Sequence, residues 1–177
     1  QKVGISPDGL WPLYSQADSA GGGQFNSVIL GWLTVSNTGI SGPVTWLKAA
    51  TGPAKYAGLA METTVEGTPY PSAALPTWPG TNWVATYEGA GVSAGVMSNS
   101  VTWDVVKNKF VTDKTNKMTL VLTTNSGKLT VTFNNPYDTN LKSKGYGVIL
   151  TNLNGGSGYY LPSSGLGAGQ FKLEEKN

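Results

Sequence analysis

"MTLVLTTNSGKLTVTF", residues 118–133, alternates apolar and polar side chains on either side of Thr124-Asn125-Ser126-Gly127. Leu129, Val131 and Phe133 fall on one side of such a segment, and Lys128, Thr130 and Thr132 on the other. A period of two with one apolar face is the signature of a strand packed on one side and wetted on the other, and the polar break between the runs predicts a hairpin. Leu129, Val131 and Phe133 are therefore expected to be buried.

Outward from this hairpin, the same criteria predict strands at 82–91 (NWVATYEGAG) and 99–106 (NSVTWDVV). "SVILGWLTVSNTG" (27–39) and "PVTWLK" (43–48) form a second expected hairpin, joined through Asn37-Thr38-Gly39. A last pair, "GYGVILTN" (145–152) and "GQFKLEE" (169–175), flanks a glycine-rich loop. The fold class is then all-β: a single-domain antiparallel β-sandwich of about eight to ten short strands over residues 27–177. Residues 1–26 contain Pro7, Pro12 and Gly21-Gly22-Gly23 and read as an irregular N-terminal arm, of which roughly the first 20 residues are expected to be dispensable for folding. Between the hairpins, Pro69, Pro71, Pro76 and Pro79 predict an extended, exposed loop over much of 63–83.

Composition agrees with this class and narrows the function. The 177 residues include Gly 24 and Pro 10, with only 12% charged residues, which disfavours long helices. All twelve basic residues are lysines, dispersed from Lys2 to Lys176, and the net charge is +2. Such dispersal gives no electrostatic footprint for nucleic acid, so nucleic acid is not an expected partner. With no His and no Cys, neither the usual zinc and iron sites nor a Ser-His-Asp or Cys-His pair can be built. The adjacent acids Glu174 and Glu175 diverge on a strand and do not make a glycosidase pair. The expectation is a binding protein, without enzymatic activity, metal or cofactor. Opening at Gln1 rather than Met suggests a processed N-terminus after a removed secretion signal, hence a secreted protein.

The strand 129–133 runs into Asn134-Asn135-Pro136-Tyr137-Asp138, with Lys142, Lys144 and Tyr146 close behind. The run "MTLVLTTNSGKLTVTFNNPYDTNLKSKGYGV" (118–148) resembles the central hairpin of the aegerolysin and actinoporin-like cytolysins, through Leu129, Val131, Phe133, Asn135, Pro136, Tyr137, Asp138 and Tyr146. The resemblance implies a compact β-sandwich that binds a membrane lipid, as a toxin component or pore former. Two departures sharpen it. The N-terminal segment is broken by prolines and glycines where actinoporins carry a pore-forming helix. The aromatic cluster that holds phosphocholine there is replaced by Thr139, Asn140, Leu141, Lys142, Ser143 and Lys144. The pattern thus sits nearer the aegerolysins, which bind particular lipids and often need a second, pore-forming protein.

Pro136 fixes its own φ and biases Asn135 toward an extended conformation, so the turn can stop the strand and present Tyr137. Tyr137 and Tyr146 can bury their rings against lipid or sugar while Lys142 and Lys144 hold a phosphate as point charges. Equally, the turn needs only a packed Tyr137 and two solvated lysines. Trp78, between two prolines, is the further surface candidate. Of Tyr159 and Tyr160, neighbours that face opposite ways, one is expected in the core and one outside. Trp32, Trp46, Trp83 and Trp103 are assigned to strand packing. The alternative function class is a carbohydrate-binding adhesin or a fimbrial, lectin-type sandwich, in which the same aromatics would meet a glycan.

Overall fold

The computed structural model describes residues 3–20, 24–48, 58–71, 81–89, 92–135, 138–162 and 168–176. The protein is all-β, and every strand pairing is antiparallel. Its contacts cluster into two units, Gln1–Pro69 and Tyr70–Asn177.

The first unit is a four-stranded meander of β1 (Leu10–Ala20), β2 (Gln24–Ser36), β3 (Gly39–Lys48) and β4 (Leu59–Gly67), in the order β1-β2-β3-β4. The expected hairpin of 27–39 with 43–48 is its centre. The arm expected over 1–26 is corrected: Leu10 to Ala20 pair with Thr34 to Gln24. Proline disfavours a helix interior and a central strand, but β1 lies at the sheet edge and Pro12 stands near its start, where a missing N–H is tolerated. Removing residues 1–20 would strip a strand from β2, and the boundary expected at residue 26 falls inside this sheet. Part of the proline-rich span is strand as well, since Thr63 to Gly67 belong to β4. Pro43 lies within β3 between two neighbours, and there the β2–β3 ladder skips from Gly31↔Val44 to Thr34↔Ser41 without changing register. Alternation along β2 buries Leu33 and turns Trp32 outward, 61% exposed, contrary to its assignment to packing.

The second unit is an eight-stranded sheet built from β5 (Asn82–Gly89), β6 (Val92–Asp104), β7 (Lys109–Thr112), β8 (Thr119–Thr123), β9 (Lys128–Asn135), β10 (Asp138–Leu150), β11 (Gly155–Pro162) and β12 (Gly169–Glu175). The order is β7-β6-β5-β12-β11-β10-β9-β8. Its two ends approach each other, with the Thr112 hydroxyl donating to the Met118 carbonyl, so the sheet curls toward a barrel and buries one face on itself. Inside lie Leu129, Val131 and Phe133, as the alternation of 118–133 predicts, together with Trp83, Tyr87, Trp103, Tyr160, Phe171 and Leu173.

The expected glycine-rich loop of this unit is largely a strand instead. Residues 155–162 form β11 and insert between β10 and β12, which the sequence pattern paired directly. The strand expected from residue 145 begins earlier: polar residues from Asp138 onward open β10, with a register shift between Asp138 and Lys142 that marks a bulge. Polar side chains do not prevent a strand whose one face meets solvent.

Candidate functional site

β10 carries the candidate residues on its outer face. Its inward positions are Ser143, Gly145 and Ile149, all buried, and the alternate positions Lys142, Lys144, Tyr146 and Val148 point outward. Register aligns these with their neighbours. One row across the sheet reads Val121, Thr130, Tyr146, Tyr159 and Gln170. The row beside it reads Thr119, Thr132, Lys144 and Leu161.

Tyr146 and Tyr159 therefore meet as a cross-strand pair, ring centroids 6.1 Å apart and planes inclined at 52°. Lys128 Nζ lies 5.0 Å and Lys144 Nζ 5.3 Å from the Tyr146 ring centroid, within cation–π range. Hydrogen bonding to the Lys144 ammonium holds the Tyr146 phenol below its usual pKa, desolvation opposes this, and the charges of Lys144 and Lys128 add to the lowering. Tyr159 is about half exposed, as are the apolar side chains around the pair, Val121, Val148 and Leu161. Of the two neighbouring tyrosines, Tyr160 is the core residue and its hydroxyl donates to the Gly89 carbonyl.

Next to this patch a groove of about 570 Å³ is lined by Lys117, Lys142 and Lys144, with Thr119, Thr132, Phe133, Asn134, Ser143 and Leu161. Lys117 comes from a 3-10 turn, Thr115–Lys117, just before β8. Asp113 fixes that turn: its carboxylate accepts from the Thr115 amide at 3.0 Å, the Ser100 amide at 2.9 Å and the Asn99 side-chain amide at 3.0 Å. Desolvation pushes the Asp113 carboxyl up, but the hydrogen bonds from Asn99, Ser100 and Thr115 outweigh it and hold the group below its usual pKa. A carboxyl depressed on folding stabilises above its unfolded value, about 3.9, and that stability is lost as pH falls through the folded pKa. Asp113→Asn should therefore lower the thermal midpoint at pH 7 and shrink the parent's loss of stability as pH falls below about 3.9. An unchanged acid limb in a pH series of melts would remove Asp113 from this role.

Of the sequence candidates, Lys142, Lys144, Tyr146 and Tyr159 come together on one outer face. Tyr137 and Trp78, with Pro136, lie outside the described residues. Lys117 and Lys128 were not singled out by sequence reasoning. The alternation at 128–133 already put Lys128 on the wetted face, whereas no local pattern links Lys117 to residues 142–144. Comparison with protein families, with curated proteins and with solved structures returns no match, so function rests on this geometry.

Proposed function

We propose that the protein is a non-catalytic binding protein whose eight-stranded sheet docks, by its outer face, on a membrane surface bearing anionic lipid. The observation that carries this reading is the side-chain mixture there: exposed Val121, Val148, Tyr159 and Leu161 around Tyr146, beside Lys128, Lys142 and Lys144. A sheet face made only to be wetted needs threonine and lysine, not half-exposed valine, leucine and tyrosine gathered around one ring. Aromatic rings suit the lipid interface, and each lysine near an anionic leaflet adds about 1 kcal/mol of attraction. The reading also keeps the protein a secreted one that could leave perforation to a second protein.

A glycan is the second reading, favoured by one feature: the Tyr146–Tyr159 pair shares its row with Gln170, whose side-chain amide donates to Glu88 at 3.0 Å. Rings beside such polar groups also suit a sugar.

Flotation with phosphatidylcholine vesicles, with and without phosphatidylserine, separates the two when run beside a glycan array. Binding should need the anionic lipid and weaken as salt rises. The double variant Tyr146→Ala/Tyr159→Ala should bind at least tenfold more weakly, about 1.4 kcal/mol, with little change in the thermal midpoint because neither ring is in the core. Vesicle binding unaffected by the double substitution sinks the membrane reading, and glycan binding that it abolishes installs the other. Dye release in the same vesicles tells whether binding alone perforates.

A further inference from the structure

We propose that the groove beside the tyrosine patch is a phosphomonoester site, with Lys117, Lys142 and Lys144 as its cationic ligands. This deepens the membrane reading, and rests on it only for a lipid as the source of the phosphate. Three lysines, Lys117 from the turn before β8 and Lys142 and Lys144 from β10, line one groove whose other described polar side chains are Thr119, Thr132, Asn134 and Ser143. None of the described lining residues is acidic. Among the described residues no carboxylate pairs with any of the three lysines. Three positive charges around one groove repel one another without an anion. A terminal phosphate, with close to two negative charges and three free oxygens at neutral pH, matches them better than a carboxylate or a phosphodiester.

The backbone gives a second, independent sign. Lys114, Asn116 and Lys117 have φ of 61°, 55° and 49°. Asparagine visits this left-handed region readily, but lysine gains nothing there that glycine would not supply at lower cost. Strain of this kind, held by the Asp113 hydrogen bonds described above, is characteristic of positions kept for their side chains. β9 lies between β8, which the Lys117 turn precedes, and β10, which carries Lys142 and Lys144, and adjacent strands lie about 4.8 Å apart. The lysines can thus reach a small anion from both sides of β9.

The distinguishing variant is Lys117→Gly, which removes one charge and relieves the backbone together. The full chain and the variants Lys117→Gly and Lys142→Gln would be titrated calorimetrically with glycerol 3-phosphate. They would also be floated with phosphatidylcholine vesicles containing either phosphatidic acid or phosphatidylserine at matched surface charge. The parent should bind glycerol 3-phosphate and prefer phosphatidic acid. Each variant should lose about tenfold or more of the former and all of the preference, while Lys117→Gly melts no lower than the parent. Binding of glycerol 3-phosphate without vesicle binding keeps the site, assigns it a soluble phosphate ester and ends the membrane reading. Vesicle binding that is indifferent to phosphatidic acid and to Lys117 keeps the membrane reading and overturns the site. Failure of the parent to bind any phosphomonoester, or variants that bind it as the parent does, also overturns it.

Discussion

Phe133→Ala should destabilise the protein by about 3–5 kcal/mol, the range for deleting a large buried aromatic ring. Phe133 is 1% exposed, and its ring sits between Tyr87, centroids 4.4 Å apart, and Tyr160, at 5.0 Å in an edge-on arrangement. Tyr87 in turn contacts Phe171 at 6.3 Å and donates its hydroxyl to the Met118 sulfur. Neither tyrosine can follow a vanished ring without breaking its own hydrogen bond, so the cavity would collapse only in part. Denaturant unfolding of parent and variant gives the value directly. A loss under about 1 kcal/mol would mean that the ring is not a core element. Function should suffer too, because Phe133 lies opposite Ser143, between the positions of Lys142 and Lys144.

The second large effect is expected at a residue with no side chain. Gly158→Ala should cost about 1–3 kcal/mol, the usual range for overpacking a filled interior. Gly147, Gly158 and Phe171 are aligned across β10, β11 and β12. A Cβ at Gly158 would stand 2.5 Å from Phe171 Cε1 and 2.6 Å from the Gly147 Cα. Both are unyielding, one an aromatic ring and the other backbone. Gly4→Ala is the matched control, since a Cβ there meets nothing within 4 Å. Thermal melts of the two variants should differ by several degrees; equal midpoints would show that β11 can shift to accept the methyl. Such a shift would also move Tyr159, the next residue, relative to Tyr146.

These two positions differ in how far they could be read from the chain itself. Phe133 could be assigned to the core because alternation along 128–133 is a local property: the backbone geometry of a strand sends every second side chain the same way. The same logic made the protein all-β and required one of Tyr159 and Tyr160 to face outward. Gly158 could not be read this way. Glycines at 155, 156 and 158 read as a loop, and only Phe171 on the next strand explains a strand with empty positions.

The candidate site divides along the same line. Lys142, Lys144 and Tyr146 share a face because they are two residues apart on one strand, and a sequence states that much. Their meeting with Tyr159, Lys128 and Lys117 depends on register, which is set by pairing between distant segments and by the buried face that the pairing must satisfy. Pro12 and Trp32 show the same dependence. A proline is compatible with β1 because that strand lies at a sheet edge, and Trp32 is exposed because Leu33 takes the inward position. Periodicity along each strand, the hairpin turn at 124–127 and the lack of histidine and cysteine chemistry are properties of the chain alone. Which strands became neighbours, and so which lysines share a groove, was decided only by tertiary structure, because that choice minimises exposed apolar surface over the whole sheet rather than along any one segment.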